Sequence, residues 1–114
     1  MQLFGIPNCN TVKKARDWLT EHNIDYQFHD FKKQGVTATM LESWLKQQPW
    51  EKLVNRSGMT WRNLSEAEKA AVIDARSAIK LMIEKSSVIK RPVLVKNGKI
   101  ICLGFTEAAY KELL

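Results

Sequence analysis

Cys9 is the side chain best placed to do chemistry, because of where it falls in Gly5-Ile6-Pro7-Asn8-Cys9-Asn10-Thr11. An apolar run ends just before it and a helical pattern begins just after it. A cysteine attacks as thiolate, not as thiol. At a helix start its sulfur faces backbone N–H groups that lack intrahelical partners, and it faces the positive end of the helix dipole; both favour the anion. The side chains of Asn10 and Thr11 are candidate donors, and Lys13, Lys14, Arg56 and Arg91 add positive field if the fold gathers them. On spacing alone, a buried and inert Cys9 explains the pattern about as well, since cores accept free cysteine readily. Cys102 lies inside the apolar run Ile100-Ile101-Cys102-Leu103, where core packing is the expected role. It becomes a resolving thiol only if its sulfur comes near Cys9. His29 lies on an alternating segment and is not a convincing base, and His22 ends a helix, where a cation suits the dipole.

The elements that must position these residues can be read in order. Gln2 to Ile6 suits a buried first strand, and Pro7, Asn8 and Asn10 turn the chain. Asn10 to His22 is helical, with Val12, Ala15, Trp18 and Leu19 on one face and Asn23 as the stop. Asp25 to Phe31 alternates as a second strand, and a crossover helix between short strands implies parallel pairing. Lys32-Lys33-Gln34-Gly35 reads as a turn, and Thr37 to Gln48 as a second helix ended by Pro49. Glu51 to Leu64 mixes loop and short-helix chemistry. Ser65-Glu66-Ala67-Glu68 is a capping box opening a helical stretch to about Lys85, with a break expected between Asp74 and Ser77. Its predicted apolar face is Ala71, Val72, Ala75, Ile79, Met82 and Ile83. Pro92 to Lys96 and Lys99 to Leu103 flank Asn97-Gly98, a strong hairpin signal. Phe105 to Leu114 closes as a helix, predicted to turn Phe105, Ala108, Ala109 and Leu113 inward.

Composition narrows the class. The chain has 114 residues, 45% of them hydrophobic, which suits one compact domain with an ordinary core. Its net charge of +6 comes from 18 basic and 12 acidic residues spread along the chain. A solvated basic surface is the first reading, an acidic small molecule or acidic protein partner the second; no recognition motif supports direct nucleic-acid binding. There are two cysteines, no Cys-X-X-Cys and no metal-ligand spacing, so no metal site is expected. The first residues lack the charged and apolar regions of a signal peptide, and no apolar run approaches membrane-spanning length. The expectation is a cytoplasmic monomer with reduced thiols and no membrane association.

Strand–helix–strand followed by strand–strand–helix, with a cysteine at the first helix and a proline opening the third strand, resembles the thioredoxin-like folds. Five segments in order carry a narrower resemblance: Gly5 to Ala15, Phe28 to Lys32, Leu53 to Gly58, Ile89 to Val95, and Gly104-Phe105. Together they resemble the arsenate-reductase-like (ArsC/Spx) family, most closely its YffB-type branch, over essentially the whole chain. The resemblance implies an α/β, thioredoxin-like domain over residues 1–114 with a four-stranded mixed sheet, a core of roughly 1–34 and 88–114, and a helical insertion of roughly 35–87. It implies that Cys9 is the nucleophile and that Pro92 is cis. It also makes Asn10, Thr11, Arg56, Arg91 and Pro92 the substrate- or glutathione-binding set. Arginine suits that role because its planar fork pairs with oxyanions.

Departures from the family pattern shape the expected function. Arsenate reductases carry a third arginine near the last strand, where this chain has Gly104, and a histidine four residues before the cysteine, where it has Gly5. Spx-type redox sensors carry a second cysteine where this chain has Val12. The expected function is therefore a glutathione-dependent thiol reductase: no cofactor bound, glutathione as co-substrate, Cys9 acting alone. The alternative is a Spx-like regulatory module docking on an acidic partner such as the RNA polymerase α C-terminal domain. Arsenate reduction is the disfavoured third.

Overall fold

The apolar run at the start of the chain forms β1 (Gln2–Gly5), where Leu3 and Phe4 are both buried. Successive strand residues point to opposite faces, so this strand is covered on both sides. The computed structural model describes residues 1–114. The chain divides into two compact units, Met1–Gln34 with Arg91–Leu114, and Gly35–Lys90.

In the first unit α1 (Asn10–Glu21) follows β1, and β2 (Gln27–Asp30) returns parallel to it with Leu3 opposite Phe28. A parallel pair needs a crossover, and α1 supplies it. The predicted stripe of Val12, Ala15, Trp18 and Leu19 is the buried face of α1. Asn23 stops the helix with φ 56°, the left-handed conformation that asparagine tolerates. β3 (Val93–Lys96) and β4 (Lys99–Leu103) are antiparallel neighbours and complete the sheet order β2-β1-β3-β4. Asn97 and Gly98 take φ 53° and 79°, the paired positive values of a two-residue hairpin. One sheet face packs Leu3 and Leu94 against Ala15, Trp18 and Leu19 of α1 and Tyr110 of α8 (Glu107–Leu113). Burying a side chain of leucine size contributes about 1.5–3 kcal/mol, so this cluster ties α1 firmly to β1.

Two local expectations give way to the structure. The second strand is shorter than the alternation of Asp25 to Phe31 suggests, because Asp30 ends it. The Asp30 carboxylate accepts from the N–H of Lys32 at 2.8 Å and of Lys33 at 3.4 Å, capping a one-turn helix α2 (Phe31–Gln34) where a turn was predicted. In α8 the inward residue is Tyr110, fully buried, whereas Ala108 is exposed and Leu113 is 50% exposed. The helix starts at the Thr106 cap, and from that start Tyr110 meets Trp18 and Phe105 edge-on at 5.5 and 4.6 Å. Large aromatic rings claim the packed face, and Leu113 lies a turn beyond it.

The second unit is helical. α3 (Ala38–Leu45) is shorter than predicted and is capped by Thr37, whose hydroxyl accepts from the Met40 N–H. It buries Leu41 and Trp44 and packs against α7. Short helices α4 (Trp50–Leu53) and α5 (Met59–Arg62) follow. The Ser65/Glu68 capping box forms as read and opens α6 (Glu66–Ala70). The break comes slightly earlier than expected, and Asp74 with Ser77 builds a second capping box for α7 (Ala75–Glu84). That restart rotates the apolar face onto Ala78, Leu81 and Met82, leaving Ala75 exposed and Ile83 44% exposed. No helix is long and apolar enough to cross a membrane.

Candidate functional site

Cys9 is the N-cap of α1, with extended backbone at φ −122° and ψ 125°. Its carbonyl accepts the Lys13 N–H at 2.9 Å, closing the first turn. The N2 and N3 positions of this helix are Thr11 and Val12, whose N–H groups are the ones an N-cap side chain meets. The sulfur makes no short cap bond of the serine or aspartate kind, so its neighbours act on the anion. Partial burial by itself raises the thiol pKa. The Val12 N–H, the Arg91 side chain through a hydrogen bond and through its charge, and the Thr11 N–H together outweigh it, so the pKa falls below the ordinary thiol value. Cys9 is half-buried, which leaves its sulfur within reach of solvent.

Arg91 comes to Cys9 through strand register. Val93 pairs with Phe4, which sets Pro92 beside Gly5 at the end of β1 and Arg91 just beyond it. The Arg91–Pro92 peptide bond is cis, and Pro92 is buried. The Pro92 carbonyl accepts the Gly104 N–H at 2.8 Å. Gly104 takes φ 78°, so the position where arsenate reductases are expected to hold a third arginine has a backbone that favours glycine.

Cys102 lies in a different environment. It sits in β4 opposite Leu94, half-buried, with its thiol directed at the carbonyls of Gly104 at 3.5 Å and Leu103 at 3.8 Å. Burial pushes its pKa up. The fully buried Tyr110 hydroxyl has no hydrogen-bond partner; its pKa is raised strongly by burial and further by the Cys102 charge. A thiolate at Cys102 would lie near an apolar cluster and a hydroxyl that resists ionisation.

The structure therefore brings Cys9, Thr11 and Arg91 together, with Pro92 adjacent. Thr11 contributes its backbone N–H, not the side chain expected. Asn10 is exposed and is not among the groups that lower the Cys9 pKa, and Lys13 and Lys14 are likewise exposed. Arg56 belongs to the second unit, exposed, with its guanidinium over the Trp50 ring at 5.5 Å. His22 stacks on Trp18 at 3.8 Å, and His29 packs on Phe4 at 4.8 Å. Val12 was absent from the expected set. Its place at N3 of a helix whose N-cap is cysteine was the signal for it. A groove of about 460 Å³ lined by Lys14, Asp17, Trp18, Phe105 and Glu107 lies farther along α1 and includes neither Cys9 nor Arg91.

Sheet order and site together define a thioredoxin-like α/β protein with one thiol of lowered pKa at the start of its first helix. The model of the ArsC family matches residues 4–113, and the chain belongs to that family. It is 39% identical over 109 residues to an uncharacterized protein of Haemophilus influenzae, covering 96% of this chain and 94% of the relative. The solved structure of the YFFB (PA3664) protein is similar with 44% identity and a TM-score of 0.90, over 99% of this chain and 97% of that one. The global transcriptional regulator Spx of Streptococcus pyogenes is 26% identical over 115 aligned residues, covering 98% of this chain and 83% of Spx.

Proposed function

We propose that the protein is a thiol–disulfide oxidoreductase in which Cys9 acts alone and glutathione regenerates it. The observation that carries this reading is the environment of the Cys9 sulfur, where two backbone N–H groups and the Arg91 guanidinium favour the thiolate. In the first step the thiolate attacks the sulfur of a glutathionylated substrate. A Cys9–glutathione disulfide forms, the substrate disulfide breaks, and the substrate leaves as thiolate. In the second step a glutathione thiolate attacks that mixed disulfide, releasing Cys9 thiolate and oxidised glutathione. The need for an external thiol is supported by valine at position 12, which leaves no Cys-X-X-Cys partner, and by the Cys102 thiol being directed at the Gly104 and Leu103 carbonyls. Arg91, Asn10, Thr11 and Pro92 are the residues proposed to hold glutathione, whose carboxylates suit a guanidinium group. The test is intact mass after mixing reduced protein with oxidised glutathione. One adduct is expected, absent in Cys9→Ser; an adduct mapping to Cys102 instead overturns the assignment.

A second reading, a regulatory binding module, is supported by the similarity to Spx and by the net charge of +6. An acidic partner such as the RNA polymerase α C-terminal domain would be drawn by that charge. Calorimetric binding to that isolated domain, retained in Cys9→Ser, supports this reading, and no binding by either form removes it. Arsenate reduction ranks third, because Gly104 and Gly5 stand where side chains are needed. A glutaredoxin-coupled arsenate assay with no turnover above the Cys9→Ser background closes it.

A further inference from the structure

Gly5 ends β1 at the point where the chain turns toward Cys9. A Cβ placed on Gly5 would lie 2.9 Å from Val12 Cγ2 and 3.3 Å from Val12 Cγ1. The first distance is closer than carbon atoms approach without something moving. Gly5 is not among the glycines with positive φ, so its backbone would accept any residue. The Val12 side chain is what excludes one. Val12 is fully buried, and a β-branched residue in a helix holds essentially one rotamer, so it cannot swing aside. A side chain at position 5 therefore forces a shift between the end of β1 and the first turn of α1. That turn carries the Thr11 and Val12 N–H groups that meet the Cys9 sulfur.

We propose that the Gly5–Val12 contact is a positioning device, in which the bare backbone at Gly5 lets Val12 seat on the end of β1 and so sets the approach of the first-turn N–H groups to Cys9. Neither residue touches a substrate; both act through the backbone, as positioning residues. The inference rests on the reading of Cys9 as the reacting thiol. It also gives Val12 a role that a second cysteine at this position would not reproduce, since one Sγ cannot fill the space of two methyl groups.

The test is the pH dependence of iodoacetamide alkylation at Cys9, mapped by mass spectrometry, in wild type, Gly5→Ala, Val12→Ala and the double variant. Gly5→Ala is expected to move the Cys9 midpoint upward and to slow alkylation at neutral pH several-fold, with Cys102 unchanged. Val12→Ala alone is expected to lose the seat and also move the midpoint upward. The double variant is expected to return it to the wild-type value, because a Cβ at position 5 lies 3.7 Å from the Cβ at position 12 and remakes the contact. A merely structural role would lower the melting temperature and leave the midpoint in place. Folded Gly5→Ala with the wild-type midpoint overturns the proposal, and so does a double variant whose midpoint stays high. If Gly5→Ala does not fold, the double variant decides by the same criterion. Failure of the parent reading shows separately, as a wild-type Cys9 midpoint no lower than that of free cysteine.

Discussion

The two cysteines of this chain share a side chain and differ in everything around it. Cys9 stands where a strand has ended and a helix is beginning, so unpaired backbone N–H groups and a guanidinium meet its sulfur. Cys102 stands inside the edge strand β4, opposite Leu94 of β3, beside apolar side chains and a hydroxyl without a partner. Both are half-buried, so exposure does not separate them. The sign of the local field does. The Cys9 pKa is lowered, by dipoles and charge that outweigh its burial, while the Cys102 pKa is raised by burial with nothing to oppose it. Reactivity follows from the thiolate population, and each unit of pKa changes that population about tenfold below the midpoint.

The largest expected effect is a kinetic one. Iodoacetamide at neutral pH should label Cys9 well before Cys102, and peptide mapping at short times reads the difference. Equal labelling of both in folded protein would erase the contrast.

The next effect is on stability. Tyr110→Ala should remove the ring that Trp18 and Phe105 pack on, at a cost of about 3–5 kcal/mol in urea unfolding. The Cys9 alkylation midpoint of the remaining folded protein should stay low. A shift of that midpoint would show that the two environments are not independent.

A smaller loss is expected at Gly104, whose carbonyl receives the Cys102 thiol and whose φ is 78°. Gly104→Ala should cost about 1–2 kcal/mol, because an L side chain is strained in the left-handed region. A Gly104→Ala protein as stable as wild type in urea would remove the backbone argument against an arginine there.

The smallest effect has opposite signs at the two sites. The folded Cys9 pKa lies below its unfolded value, so its contribution to stability is present above about pH 8.5 and is lost as pH falls through the folded value. The folded Cys102 pKa lies above its unfolded value, so its contribution is complete below about pH 8.5 and is lost as pH rises through the folded value. Under reducing conditions, the stability gap between wild type and Cys9→Ser should widen from neutral to alkaline pH, while the gap to Cys102→Ser narrows. Gaps that move in the same direction would contradict the assigned environments.

Much of this was legible in the chain before folding. The period of Val12, Ala15, Trp18 and Leu19 marked the buried face of α1, Asn97-Gly98 marked the hairpin, and Ser65 with Glu68 marked a capped helix. Each is a local pattern written in neighbouring residues. Misreadings came where a distant residue or a competing cap decided: Asp30 ended β2, Asp74 restarted a helix on a new face, and Tyr110 displaced Ala108 and Leu113 because Trp18 and Phe105 were there to receive it.

Position along the chain made Cys9 a candidate, since a cysteine at a strand-to-helix junction meets free N–H groups. Spacing alone fitted an inert cysteine about as well, and the family resemblance separated the two. Position was not enough to choose among four candidate cations. Strand register carries Arg91 to the sulfur by pairing β3 with β1, and Lys13 and Lys14, though adjacent in sequence, remain exposed. Nor could it show that Gly5 is bare to make room for Val12. Capping and periodicity act between near neighbours and leave marks in sequence, whereas charge and steric contact act through space and depend on which segments the sheet brings side by side.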